Sequence, residues 1–436
     1  MGNSEWLHRT LGAVWHPCTQ MKQHEQFPPV PISHGAGVWL YDFEGNRYLD
    51  AISSWWVNLF GHCNARINEA LRDQLERLEH VMLAGFTHEP VVRLSERLAA
   101  LAPRGLGHCF YGSDGASATE IALKMSFHFW RNRGKPAKTS FLSLANSYHG
   151  ETLGALSVTD VALFKDTYAP LLREAAQVPS PDARNGAPGE SARAVAERAA
   201  QALEDYLAAH HERVAAFIVE PLVQCAGGMG MYDAHYLARA REICDRFDVH
   251  LIADEIAVGF GRTGSFFACE QAGIRPDFLC LSKGITGGYL PLAVVMTTDP
   301  VFAAFYHDEA SRGFLHSHSY TGNALACRAA LASLDIFEQD GVLDANRQKA
   351  DYLSARLAPL EADPRVRNLR HLGMIWAFEL ADPRGAAPQR VHEEGLRRHV
   401  LLRPIGETIY LMPPYVICEP EMDFLAEGLL GVLQAL

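Results

Sequence analysis

Between Gly107 and about Asp299, short apolar runs alternate with stretches of helical spacing, the pattern of an α/β domain. The predicted strands are Ser140–Leu144, Phe217–Val219, Val249–Ala253, Phe278–Leu281 and Ala293–Thr297. Val249–Ala253 and Phe278–Leu281 are mostly apolar throughout, as expected of strands buried on both faces of a parallel sheet. Ahead of this region Ile67, Leu71, Leu75 and Leu78 repeat at helical spacing, as do Val91, Leu94 and Leu98, which predicts two amphipathic helices. The first sixty residues read as irregular and turn-rich, and F-P-P-V-P-I (Phe27–Ile32) is too dense in proline for a helix interior. Gly37–Asp50 alternates around an E-G-N turn and predicts a β-hairpin. Pro179–Gly189 reads as a surface insertion, followed by an Ala-rich helix to about His211. Ala324–Phe337 reads as a long helix leaving the domain, and the remainder mixes helices and strands. The expected division is an N-terminal segment (1–60) packing with a small domain, a large domain (61–325) and a smaller C-terminal α/β domain (326–436).

Composition narrows the partners. A chain of 436 residues with 48% apolar and 21% charged residues can bury a large core. The formal net charge of −12 argues against nucleic acid or an anionic membrane, while leaving room for a small anion held by local donors. No run approaches a membrane span, and the N-terminal M-G-N-S-E-W-L-H-R-T has no signal-peptide core. Nine cysteines without a C-x-x-C pair indicate neither a disulfide framework nor a zinc ribbon. The expected location is the cytoplasm.

The chemistry gathers where apolar runs end. Asp254 closes the run Val249–Ala253, Lys283 follows Phe278–Leu281 after one serine, and Glu220 follows Phe217–Val219. Ligands of open α/β sheets bind outside the carboxyl ends of the strands. A carboxylate and a lysine leaving neighbouring strands suit pyridoxal phosphate, with the lysine attached to the aldehyde and the acid holding the ring nitrogen protonated. For those two residues alone, the competing reading is an ion pair at the sheet rim. Y-G-S-D-G-A-S-A-T-E (Tyr111–Glu120) runs a glycine turn into a helix, and Gly115 and Ala116 are the amides best placed to face a phosphate. The same S-D-G is also a common turn and cap. In N-S-Y-H-G-E-T (Asn146–Thr152), Tyr148 is the candidate to stack on a planar ring, or else a tyrosine buried for packing. His316 and His318 form an H-x-H pair without a third metal ligand at a convincing spacing, so no metal is expected. Ser317, Ser319 and Thr321 supply hydroxyls suited to a phosphate. Arg403, ahead of I-Y-L-M-P-P-Y, has the two-pronged donor edge that binds a carboxylate.

Together these pieces resemble the fold type I, class-III aminotransferases, the group with the ω-amino-acid and ornithine enzymes, from about His16 to Tyr415. The most specific part is D-E-I-A-V-G-F-G-R-T-G, with Lys283 29 residues after Asp254. W-H-P-x-T-Q-M, S-S-W-W, S-Y-H-G, H-S-Y-T-G-N and R-P-I-G-x-x-I-Y-L-M-P-P-Y are similar to the branch that aminates 8-amino-7-oxononanoate, with S-adenosylmethionine as donor, in biotin biosynthesis. The resemblance implies an aspartate-aminotransferase-like α/β fold with a mostly parallel sheet. It also implies a homodimer with active sites at the interface, pyridoxal 5'-phosphate as cofactor and ping-pong transfer. Lys283 would carry the cofactor and move the proton, Asp254 would pair with the ring nitrogen, and Tyr148 and Ile256 would cover the ring's two faces. Gly115 and Ala116 of one subunit, with His318 and Ser319 of the other, would hold the phosphate, and Glu220 would complete the cofactor site. Cys18, Trp55, Trp56, Tyr148, Glu151, Lys283, Ser317, Arg403 and Tyr410 would line the substrate pocket, Arg403 taking the carboxylate of the oxo-acid.

Two positions depart from the family pattern. Ala116 stands where a serine is usual, removing a hydroxyl but not the amide. Cys18 stands in H-P-C-T where a tyrosine often contacts the amino donor, which leaves lysine as an alternative donor. An ω-amino-acid or ornithine aminotransferase would share the cofactor residues and differ at the pocket. A non-enzymatic ligand sensor on this fold would lack Lys283 or carry a basic DNA-binding domain, and neither applies.

Overall fold

The structure is a computed structural model and describes residues 1–173, 175–381 and 387–436. The chain divides into two compact units, one of Met1–Asn68 with Asp344–Leu436 and one of Glu69–Leu343.

The first unit opens on a helix, α1 (Asn3–Ala13), inside the stretch expected to be irregular. None of its residues is buried, so no apolar stripe marks it in the sequence. Strands β1 (Ile32–Ala36), β2 (Trp39–Asp42) and β3 (Arg47–Asp50) follow. β2 and β3 form the expected hairpin, pairing Trp39 with Leu49 and Tyr41 with Arg47. Asp42 Oδ1 accepts the N–H groups of Glu44 and Asn46 (2.9 and 2.8 Å), and Gly45 supplies the positive φ (+88°) that closes the turn. Beyond β3 come the single turn α2 (Ser53–Trp56) and α3 (Ala65–Leu75), which stops short of Leu78.

In the second unit α4 (Glu89–Leu101) buries Val91, Leu94 and Leu98, as their spacing requires. Then come β4 (Leu106–Gly112), α5 (Gly115–Asn132), β5 (Ser140–Leu144), β6 (Ala176–Val178) and β7 (Val214–Val219). A short β8–β9 pair (Val223–Gln224, Gly230–Met231) precedes β10 (His250–Asp254), β11 (Phe278–Leu281) and β12 (Ala293–Thr298). Seven of these build one sheet in the order β4-β12-β11-β10-β7-β5-β6. β11, β10, β7, β5 and β6 run parallel, and β12 is antiparallel to both β11 and β4, so the sheet is mostly parallel. Every residue of β7, β10 and β11 is buried, which accounts for their unbroken apolar runs. β4 and β6, absent from the expectation, are the two edge strands, and an edge exposes one flank and shortens the apolar pattern. The core between α5 and the sheet joins Ile121, Met125 and Phe129 to Ile218, Ile252, Phe278 and Val295.

The stretch Pro179–Gly189 is only partly the surface insertion expected. Ser180 and Asp182 are buried, Ser180 Oγ bonds Gln224, and Asp182 Oδ1 accepts the Arg184 N–H (3.0 Å). Ala187–Gly189 is exposed. The long helix expected from Ala324 spans Ala324–Asp340, within the Glu69–Leu343 unit.

The first unit is completed by β13 (Val366–Leu372), β14 (Ile375–Leu380), β15 (Val400–Leu401) and β16 (Thr408–Leu411). β13, β14 and β16 form an antiparallel sheet, and β15 pairs in parallel with β3. The N-terminal hairpin thus shares a sheet with residues some 350 positions later (401 against 50). No described helix is long and apolar enough to cross a membrane.

Candidate active site

Three adjacent parallel strands of the large unit, β7, β10 and β11, lead at their carboxyl ends to Glu220, Asp254 and Lys283, one residue past, at and two residues past the last strand residue. Asp254 is the last residue of β10 and is 4% exposed. Its Oδ1 accepts the Ile256 N–H (3.1 Å), and its Oδ2 lies 2.7 Å from Nδ1 of His149, which is itself buried. Glu220 spends both carboxylate oxygens on backbone, Oε1 on the Tyr148 N–H (2.9 Å) and Oε2 on the Cys225 N–H (3.0 Å). Burial pushes the Glu220 carboxyl up to about 7, with the nearby Asp254 charge adding to the rise. Glu220 therefore fixes the chain at Tyr148, whose hydroxyl donates to Glu151 Oε1 (2.9 Å).

Lys283 opens a tight turn, Lys283–Thr286, with φ at +42°. A non-glycine residue in this left-handed region costs roughly 1–2 kcal/mol, and such strain concentrates at functional sites. Burial lowers the lysine pKa, while Asp254, Cys225 and Glu220 pull it back up.

The turn proposed to face a phosphate does open a helix, α5. Asp114 caps the helix by accepting the Ser117 N–H (2.8 Å), and the amides of Gly115 and Ala116 belong to its first turn, where no intrahelical acceptor exists. Gly115 has no room for a side chain, because a Cβ there would lie 2.8 Å from Ile256 Cγ2. His318 Nδ1 lies 2.9 Å from Ser113 Oγ of the same chain, and Ser317 and Ser319 are exposed. His316 is drawn elsewhere, to Lys124 Nζ (2.8 Å). A cleft of about 590 Å³ along α5, lined by Lys124, Phe127, Arg131, Phe141 and Phe314, includes none of Glu220, Asp254 and Lys283, so cleft volume alone points away from the charged strand ends.

The remaining expected residues lie in the first unit. Trp55 and Trp56 part company: Trp56 is 4% exposed and Trp55 41%. Trp56 Nε1 donates to the hydroxyl of the buried Tyr410 (3.0 Å). The Arg403 guanidinium carbon lies 4.5 Å from the centre of the Trp55 ring, a cation–π contact. An Arg403 N–H also reaches the Cys18 carbonyl at 3.4 Å. Among the described residues Arg403 forms no ion pair with a carboxylate. Cys18 itself is exposed and has φ at +50°.

Two features, one in each unit, have no signal in the sequence. His149 stood inside the quoted S-Y-H-G motif next to Tyr148, and only the fold shows that it reaches Asp254 across 105 positions. The other is the backbone of Ser53–Trp56, where four successive residues have φ between +47° and +72°. Nothing in S-S-W-W signals that conformation.

Comparison with known proteins identifies the family. The family model described as aminotransferase class-III matches residues 19–433. The adenosylmethionine-8-amino-7-oxononanoate aminotransferase of Helicobacter pylori is 49% identical over 434 residues, covering 98% of this chain and 97% of the relative. The crystal structure of the enzyme of that name from Methanocaldococcus jannaschii superposes with a TM-score of 0.92 at 35% identity, covering 99% of both chains. An amine transaminase from an uncultivated Pseudomonas species, solved in its PLP-bound form, gives a TM-score of 0.90 at 32% identity over 97% of this chain and 98% of that one. With a family match over residues 19–433 and a relative 49% identical over nearly its whole length, the chain belongs to the class-III aminotransferases.

Proposed function

We propose that the protein is a pyridoxal-phosphate-dependent aminotransferase that passes an amino group from S-adenosylmethionine to 8-amino-7-oxononanoate, giving 7,8-diaminononanoate for biotin biosynthesis. The observation that carries this reading is the set of charged strand ends, Asp254 and Lys283 on paired strands beside the α5 helix start. The substrates follow the printed names of the relatives.

The residues present fit the cofactor. Gly115 lets the start of α5 lie so close to Ile256 that any Cβ would collide with it, and the first-turn amides of α5 suit a phosphate. When bound, pyridoxal phosphate supplies an aldehyde carbon for the amine and a cationic ring that draws off the electrons left as the substrate carbon loses its proton. Lys283 would hold the group through Nζ, and its burial favours the neutral amine needed to attack a carbonyl carbon and to carry a proton at the substrate carbon. Asp254, oriented by His149 and the Ile256 N–H, would keep a proton on the ring nitrogen. Tyr148 and Ile256 would hold the ring, and Glu220 fixes the Tyr148 backbone. His318 and Ser319 would help hold the phosphate of a second copy.

Arg403 takes the acceptor's carboxylate with its donor edge, beside Trp55. Ser317, Glu151, Cys18, Trp56 and Tyr410 are the further residues assigned to the substrate pocket, the last two joined by a hydrogen bond. The homodimer is supported by large exposed apolar residues on the second unit: Met82 56%, Phe86 59%, Leu315 83% and Tyr320 67%. His80 links their two segments, bonding the Ser319 carbonyl (2.8 Å) with its ring 5.1 Å from that of Tyr320. Nine unpaired cysteines suit the reducing cytoplasm.

The test is a half-reaction. S-adenosylmethionine alone should shift the visible absorption of the lysine-bound cofactor, whereas free lysine should leave it in place. Lys283→Ala should lack that band from the outset. A variant that kept both the band and turnover would remove Lys283 from its role.

A further inference from the structure

Four successive L-residues in the left-handed region persist only where their surroundings hold them there. For Ser53–Trp56 the holder is Asp50, the fully buried last residue of β3. Its Oδ1 accepts the Ser54 N–H at 2.9 Å and its Oδ2 the Ser54 hydroxyl at 2.6 Å. His62 Nε2 lies 3.1 Å from the same Oδ2, and its Nδ1 is 3.1 Å from Asn58 Nδ2. The other flank is tied beside β16, with Ser53 Oγ donating to the Met412 carbonyl (2.7 Å) and the Trp56 indole to Tyr410. The inverted turn is what separates the two tryptophans, sending Trp56 into the core and leaving Trp55 exposed against Arg403.

We propose that Asp50, Ser54 and His62 are positioning residues for the acceptor: they hold the left-handed turn, the turn sets Trp55 against the Arg403 guanidinium, and the guanidinium so pinned meets the acceptor's carboxylate from one direction. This rests on the assignment of Arg403 to that carboxylate. An arginine samples many rotamers when free, and its planar edge binds a carboxylate well in few of them. An aromatic ring against the guanidinium removes many of the others. The buried Asp50 carboxylate does its work at two removes from the substrate, through backbone conformation.

The experiment uses the holoenzyme and kcat/KM for 8-amino-7-oxononanoate, which in a ping-pong cycle reports the second half-reaction alone. The variants are Ser54→Gly, Asp50→Asn, Arg403→Ala and the double variant Ser54→Gly/Arg403→Ala. Glycine adopts positive φ without strain, so Ser54→Gly keeps its thermal midpoint while losing the hydroxyl bond and the constraint. Its kcat/KM should fall about tenfold, as small misplacements of a binding group do. In the Arg403→Ala background the same substitution should have no further effect, because the two residues act as one unit. A folded Ser54→Gly with unchanged kcat/KM overturns the proposal, and Asp50→Asn gives the same decision if it folds. An equal loss in both backgrounds overturns it too, since the effect then has nothing to do with Arg403. If Arg403→Ala alone leaves kcat/KM unchanged, the carboxylate assignment itself falls, and the single variant shows that separately.

Discussion

Replacing Gly115 by alanine adds one methyl group at the start of α5, and the structure says what it meets. The new Cβ would lie 2.8 Å from Ile256 Cγ2, 3.3 Å from its Cδ1 and 3.6 Å from its Cγ1. Carbon atoms pack best at about 3.5–4.0 Å, so Ile256 must retreat by roughly 1 Å. It has little room to do so, being 7% exposed, and its backbone N–H is engaged by Asp254. Overpacking of this kind costs about 1–3 kcal/mol, against a gain of at most about 1 kcal/mol from alanine's better helix propensity. The displaced side chain is the one assigned to a face of the cofactor ring, so cofactor affinity should suffer as well. A loss of about 1.4 kcal/mol corresponds to a tenfold weaker Kd. Titrating apoenzyme with pyridoxal phosphate by absorbance measures that term, and urea unfolding of apoenzyme measures the first. The double variant Gly115→Ala/Ile256→Ala should abolish the stability cost of the added methyl, because its collision partner is gone. A Gly115→Ala enzyme with native cofactor affinity and native stability would refute the steric reasoning and the placement of the phosphate together.

Two further outcomes concern buried histidines. His149→Phe removes the donor 2.7 Å from Asp254 Oδ2; hydrogen bonds to charged groups contribute about 1.5–3 kcal/mol, so cofactor affinity should drop by about that much. His149→Gln, which keeps a donor, should lose less in the same titration; equal Kd values for all three proteins would show that the contact does not matter. His250 is buried, and burial lowers its pKa to about 4 from the usual 6.5. The folded state thus binds fewer protons than the unfolded one between those values, so the His250 contribution to stability is intact above pH 6.5 and shrinks as pH falls toward 4. At pH 5 the shrinkage should reach about 2 kcal/mol relative to pH 7.5. Glu220 and Glu255, both raised to about 7 chiefly by burial, have the opposite slope from about pH 4.5 to 7, which cancels when wild type is compared with His250→Gln. Urea denaturation of both proteins at the two pH values checks this, and parallel curves would count against it.

Local pattern carried much of the architecture. Ser140–Leu144 and Phe278–Leu281 are strands with the bounds read from the sequence, and Phe278–Leu281, buried throughout, shows the unbroken run of a strand covered on both faces. Val91, Leu94 and Leu98 mark α4 for the related reason that one helical stripe is buried. The features that stayed silent share one cause, in that burial does not mark them. α1 buries nothing, and β4 and β6 are edges. The direction of β12, antiparallel inside an otherwise mostly parallel sheet, depends on its partners and not on its own residues.

The division at the active site is similar. The sequence by itself determined the cast: a lysine and two acids at strand ends, a glycine turn opening a helix, paired tryptophans and an arginine ahead of the strand that carries Tyr410. Residue type and spacing suffice there, because strand ends and helix starts are local structures with local signatures. Only the tertiary structure decided who touches whom. It brought His149 to Asp254 across 105 residues and spent Glu220 on the Tyr148 amide. It also inverted the turn at Ser53–Trp56 through a carboxylate at Asp50, so that one tryptophan faces Arg403 and its neighbour the core. Hydrogen bonds between distant segments and the sign of φ are set by the assembled surroundings, and a one-dimensional pattern of apolar and polar residues encodes neither.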